Sequence, residues 1–172
     1  MGIAVDRRHG RVATVGERGG AVRIWSSTGQ AITTLIPPGS GGETTSLRVA
    51  FDPAGRLITT DSTGGVLLWT LNASASDATS QQLSTAKIPI RSLAVMADGR
   101  VLAGDAVGRI HVWNGEGKLL VTLKGHQGTV TSLASEPGGQ RFVSGDDVGG
   151  WRQWRQQPRA VESLLVGQTA VN

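Results

Sequence analysis

The sequence predicts an all-β fold of four repeated units, each a four-stranded antiparallel blade of the kind that builds a β-propeller. Three observations carry that reading. Trp25, Trp69, Trp113 and Trp154 recur at spacings of 44, 44 and 41 residues, a period that suits one blade per tryptophan. Eight residues before each stands an acid (Glu17, Asp61, Asp105, Asp146), and five residues before each a glycine (Gly20, Gly64, Gly108, Gly149). The composition, 25 Gly and 5 Trp with 2 Phe and no Tyr in 172 residues, suits a turn-rich sheet protein with a few aromatic anchors and disfavours a helical bundle.

Within each period, four runs are separated by turn residues. The first runs are Ile3–Val5, Leu47–Phe51, Ile90–Val95 and Val130–Ala134. A turn then leads into a second strand at His9-Gly10-Arg11-Val12, Ala54-Gly55-Arg56-Leu57, Asp98-Gly99-Arg100-Val101 and Gly139-Gln140-Arg141-Phe142. The acid and glycine next close a hairpin into the strand that ends on tryptophan. A short carboxylate accepts hydrogen bonds from the amides just ahead of it, and glycine supplies the positive φ of the turn. Fourth runs follow at Ala31–Ile36, Gln82–Ala86, Leu119–Leu123 and Val161–Val166, giving blades at about 1–36, 44–88, 89–124 and 127–166 of a single domain. Asn72 to Gln82 and Pro37 to Thr45 read as polar loops.

The segment Leu123-Lys124-Gly125-His126, followed by Ser144-Gly145-Asp146 and Trp154, resembles the Gly-His and Trp landmarks of the WD40-repeat family. The resemblance runs over essentially the whole chain. It departs from the family in two ways: no Trp-Asp dipeptide occurs, since Ser26, Thr70, Asn114 and Arg155 follow the tryptophans, and Gly-His occurs once. Of the family's His/Ser/Asp/Trp hydrogen-bond tetrad, His126, Ser144 and Trp154 match. The usual acid position, six before the tryptophan, holds Gly19, Thr63, Val107 and Val148, which leaves the tetrad incomplete. The pattern fits a divergent, bacterial-type repeat.

The 18 residues after Trp154 and the 25 up to Trp25 together make 43, one further period. Gly167-Gln168-Thr169-Ala170-Val171-Asn172 resembles Gly125-His126-Gln127-Gly128-Thr129-Val130, so residues 167–172 are expected to complete the first strand of a neighbouring blade, removing an open edge. Three arrangements satisfy this arithmetic: an eight-bladed ring of two chains head to tail, a four-bladed monomer, or a fragment of a longer chain.

The chemistry of the residues excludes several classes. With no cysteine there is no disulfide framework, thiolate metal site or cysteine nucleophile. His9, His111 and His126 lack a second ligand at metal spacing, so no metal or cofactor is expected. No catalytic motif occurs, and Gly39-Ser40-Gly41-Gly42 lacks the lysine and helix of a phosphate loop. Asp6-Arg7-Arg8 interrupts any leader, no apolar run is long enough to span a membrane, and a cytoplasmic location is expected. The Asn72-Ala73-Ser74 sequon has no secretion signal beside it. The net charge of +4 comes from scattered cations, which disfavours nucleic acid as partner.

Trp25, Trp69, Trp113 and Trp154 are expected as core anchors, Glu17, Asp61, Asp105 and Asp146 as turn acids, and His126 and Ser144 as structural hydrogen-bonding residues. Trp151 breaks a series of Val22, Val66 and Ile110 at its phase and reads as an enlarged core residue. The resemblance implies protein or peptide recognition on the face bearing the turns before the tryptophan strand. Arg18, Ser62, Ala106 and Asp147 are the candidate contacts there, with His126 and Gln127 on an adjoining junction. The expected function is a non-catalytic scaffold or binding module. The alternative is a self-assembling half-propeller, a homodimeric ring; an enzyme at a propeller channel ranks last.

Overall fold

In a computed structural model the chain is described over residues 2–16, 20–38, 46–84, 87–155 and 165–168. Every regular element among these is a strand, and they form four separate four-stranded antiparallel sheets in sequential order. Blade one holds β1 (Gly2–Asp6), β2 (Arg11–Val15), β3 (Val22–Ser26) and β4 (Ala31–Leu35). Blade two holds β5 (Ser46–Phe51), β6 (Leu57–Asp61), β7 (Val66–Leu71) and β8 (Ala78–Ser84). Blade three holds β9 (Ile90–Val95), β10 (Val101–Asp105), β11 (Arg109–Trp113) and β12 (Leu119–Lys124). Blade four holds β13 (Val130–Ser135), β14 (Arg141–Asp146), β15 (Trp151–Arg155) and β16 (Leu165–Gln168). The chain is thus an all-β protein of four propeller blades, and no helix among the described residues is long and apolar enough to cross a membrane.

Two compact units divide the chain at Ile90 and Arg91, one holding blades one and two, the other blades three and four. The same packing rule builds both. Alternation along a strand sends successive side chains to opposite faces of the sheet, and one face of each blade carries the tryptophan with an apolar partner directly across the ladder. These pairs are Val12–Trp25, Leu57–Trp69, Val101–Trp113 and Phe142–Trp154. The opposite face carries the residues three and one before the tryptophan. In the first unit, Ala13, Val15, Val22 and Ile24 of blade one share a buried core with Leu57 and Trp69 of blade two. In the second, Leu102, Ile110 and Val112 of blade three share one with Phe142 and Trp154 of blade four, whose rings stack at 5.9 Å. Within a unit, then, one blade's aliphatic face covers the next blade's tryptophan face. The approach is close enough to require glycine at Gly104, where any Cβ would run into Val130 of blade four and into Ser92 of the adjoining strand β9.

One loop differs from expectation. The polar stretch Asn72 to Gln82 is loop only as far as Asp77, where Asn72 closes a turn on the amides of Ala75 and Asp77; from Ala78 it is the fourth strand of blade two, paired with β7 from Leu71 back to Val66. A fourth strand borders only one neighbour in its sheet and needs no apolar face, so Thr79, Ser80, Gln81 and Gln82 give no periodic signal. In blade four the described part of the fourth strand is Leu165–Gln168, and it includes Gly167 and Gln168, which pair with Gln153 and Arg152 of β15; residues 161–164 lie outside the described residues. Residues 169–172, and the Gly39–Thr45 part of the other polar loop, lie outside the described residues.

Trp69, Trp113 and Trp154 are buried, whereas Trp25 is only half-buried. Trp69→Ala or Trp154→Ala is therefore expected to cost about 3–5 kcal/mol of stability, and Trp25→Ala distinctly less. Denaturant unfolding of the three variants checks this ordering; equal losses would contradict it.

Candidate functional site

In blades two, three and four the hairpin from second to third strand is closed by one carboxylate oxygen. Asp61 Oδ1 accepts from the amides of Thr63 and Gly65, both at 2.8 Å, and from the Thr63 hydroxyl at 2.7 Å. Asp105 Oδ1 accepts from the amides of Val107 at 3.0 Å and Arg109 at 2.9 Å. Asp146 Oδ1 accepts from the amides of Val148 at 3.3 Å and Gly150 at 2.6 Å. The acid thus holds the amides two and four residues on, and its side chain spans the turn. Glu17, the fourth member of the series, lies outside the described residues, as does Arg18.

The second oxygen distinguishes the blades. In blade four Asp146 Oδ2 lies 2.8 Å from His126 Nδ1, His126 Nε2 lies 2.6 Å from Ser144 Oγ, and the Trp154 indole N–H donates to that same oxygen at 2.7 Å. An ionised Asp146 only accepts, so His126 donates from Nδ1, and Nε2 is left to accept the Ser144 hydroxyl. The tetrad is therefore complete. The residue six before Trp154, Val148, is absent from it because Asp146, two residues earlier, reaches the histidine. In blade three Asp105 Oδ2 accepts from Arg109 Nε at 2.8 Å and from His111 Nε2 at 3.0 Å, and Thr122 Oγ1 lies 3.2 Å from His111 Nδ1. In blade two Asp61 Oδ2 has no partner among the described residues. Trp25 and Trp69 donate to Thr14 and Thr59, both at 2.9 Å.

The proposed contact residues of the second unit lie together. Asp147 Oδ1 accepts the Thr129 amide at 2.8 Å, the Thr129 hydroxyl reaches the Ala106 carbonyl at 3.4 Å, and Gly108 lies beneath the His126 carbonyl. Gln127 is exposed, while His126 is buried in the tetrad. The turn tips beside them carry Val107 and Val148, 58% and 66% exposed, at the position where the family pattern places an acid. Ser62 sits on the equivalent turn of blade two in the first unit. Trp151 is 39% exposed, so it is not the enclosed core residue its phase suggests.

A second series of acids, on the turns from first to second strand, carries no signal in the tryptophan phase. Asp6 binds Arg11 at 2.7 Å, Asp52 binds Arg56 at 2.6 Å, Asp98 binds Arg100 at 2.7 Å, and Glu136 binds Arg141 at 2.9 Å. Two of these arginines also bridge to the next blade within their unit: Arg11 donates to the Gly55 carbonyl at 3.1 Å and Arg100 to that of Gly139 at 2.9 Å. The recurrent Gly and Arg of these turns is the signal that could have located them. Among the described residues no group of histidines and carboxylates is arranged to hold a metal.

The WD40 family model, described as "WD domain, G-beta repeat", matches residues 117–149, which run from the end of blade three through His126 and Asp146. A search of curated protein sequences finds no match. By fold the chain is similar to the β-propeller domain of Cps50 (Swd1) from Myceliophteria thermophila, with a TM-score of 0.78 at 12% identity over 96% of this chain and 56% of that one. The chain thus spans about half of that propeller, and at this identity the likeness is one of fold. With 1073 solved chains matching, the fold leaves the partner to be read from the surface.

Burial pushes the carboxyls of Asp6, Asp105 and Asp146 upward, but hydrogen bonds outweigh it and hold all three below the ordinary value, Asp105 at about 2. The opposing bonds come from Arg11 and His9 on Asp6, from His111, Arg109 and Val107 on Asp105, and from His126, Gly150 and Val148 on Asp146. Between the folded and unfolded values the unfolded chain binds more protons, so stability rises with pH across that window and is lost as pH falls through it. Denaturation midpoints are expected to drop most steeply between about pH 4 and about pH 2, and less so in Asp105→Asn; a midpoint unchanged over that range would refute the assignment.

Proposed function

We propose that this chain is a non-catalytic WD40-type propeller module that binds a protein or peptide partner through the turns between its second and third strands. The observation that carries this reading is the pair of exposed valines, Val107 and Val148, at the turn tips of blades three and four. Asp105 and Asp146 already close those turns, so folding asks nothing of the tips, and apolar side chains held out beside Gln127 and Asp147 suit a contact surface. Ala106 and Ser62 belong to the same series of turns. A peptide selected from a random display library should bind at least about tenfold more weakly to Val107→Asp/Val148→Asp, with the melting temperature unchanged; equal binding would refute this face.

A second reading is self-assembly into a two-chain ring. Its support is that apolar residues stand exposed on a face of an end blade in each unit: Ile3 and Val5 beside half-buried Trp25 in blade one, and Val143 and Trp151 in blade four. These are the tryptophan-bearing and the covering face, the two that meet wherever blades pack within a unit. Light scattering should then give twice the 17.9 kDa chain mass, and a single-chain mass would end this reading.

A further inference from the structure

The three described turn acids make an internal comparison. The second oxygen of Asp105 is taken by a guanidinium and an imidazole from its own blade, and that of Asp146 by an imidazole. In blade two the places of Arg109 and His111 are held by Gly65 and Leu67, and neither offers a donor side chain. Asp61 Oδ2 is nevertheless not an enclosed atom, because the buried side-chain polar atom left without a hydrogen bond among the described residues is Thr60 Oγ1. It opens on a cleft of about 510 Å³ lined by Ser62, Thr63, Gln82, Lys87 and Pro89. Asp61 also borders a second cleft, of about 270 Å³, whose walls include Pro37, Pro38 and Leu67. Lys87 lines the same cleft as Asp61.

We propose that this cleft binds the guanidinium of an arginine presented by a partner protein or peptide, which takes on Asp61 the place that Arg109 takes on Asp105. The inference rests on the interaction-module reading and supplies the chemistry of one contact. A guanidinium carries several donors in a planar fork and pairs with a carboxylate through charge-assisted hydrogen bonds. Gln82 offers a further acceptor in the same cleft, and Pro89 gives the arginine stem an apolar wall. The absence of two donor side chains from blade two leaves the carboxylate anchored by its first oxygen and, among the described residues, without a partner at its second.

The test is a titration of the isotope-labelled chain with Nα-acetyl-arginine methylamide, followed by the amide NMR signals of Thr63 and Gly65. The neutral citrulline isostere should bind about tenfold more weakly, the size of one charge-assisted contact. Asp61→Asn should lose affinity to a similar degree, and it keeps an acceptor oxygen for the turn amides, so the fold persists. Gly65→Arg should abolish binding with Asp61 intact, since it installs blade three's own occupant; the carboxylate must turn aside from the new Cβ, as Asp105 does beside Arg109. Equal binding of citrulline, binding retained in either variant, or no response to the arginine probe overturns the proposal. If the probe fails while a selected peptide still depends on Val107 and Val148, the cleft alone is refuted; if both fail, the interaction reading falls with it.

Discussion

In blades two, three and four one carboxylate oxygen at the exit of the second strand holds the hairpin into the third strand. It captures the amides two and four residues on, fixing where the third strand begins and so which of its side chains face each way. A shift of one residue would exchange the two faces and carry the tryptophan to the wrong side. Phase is therefore set by a polar contact at the turn, and the apolar core follows from it. The pairing of Leu57 with Trp69 and of Phe142 with Trp154 across their ladders, and the aliphatic sets that cover them, depend on that registration.

Because one oxygen suffices for the turn, the other is available for different uses in different blades. Asp146 passes it to His126, which ties the junction between blades three and four to Ser144 and Trp154 in a directional chain of hydrogen bonds. Asp105 gives it to two donors of the next strand, Arg109 and His111. Asp61 leaves it facing solvent. The same backbone thus supports a structural network, a self-neutralised turn and an open acceptor.

The blade count, the phase of the tryptophans and the turn acids were legible because they recur at nearly fixed spacing, and recurrence is visible without knowledge of contacts. The fourth strand of blade two was not, since Thr79-Ser80-Gln81-Gln82 lies where only the ladder demands anything of the sequence. The completion of the tetrad escaped notice because the family pattern places its acid six before the tryptophan, whereas Asp146 is eight before Trp154 and reaches His126 only through the fold of the turn. The acids of the other turns were hidden by irregular spacing: Asp6 to Arg11 is five residues, Asp52 to Arg56 four and Asp98 to Arg100 two. The open oxygen of Asp61 is a property of absent neighbours, which no motif search reports.

The arginine bridges from Arg11 to Gly55 and from Arg100 to Gly139 end on main-chain carbonyls. A carbonyl is offered by any residue, so the neighbouring blade need conserve nothing but the path of its backbone to receive the bond. Adjacent repeats are coupled in this way without their side chains being matched to one another. Such an array can tolerate duplication and drift of single repeats, because a newly copied blade arrives already able to be held by the one before it.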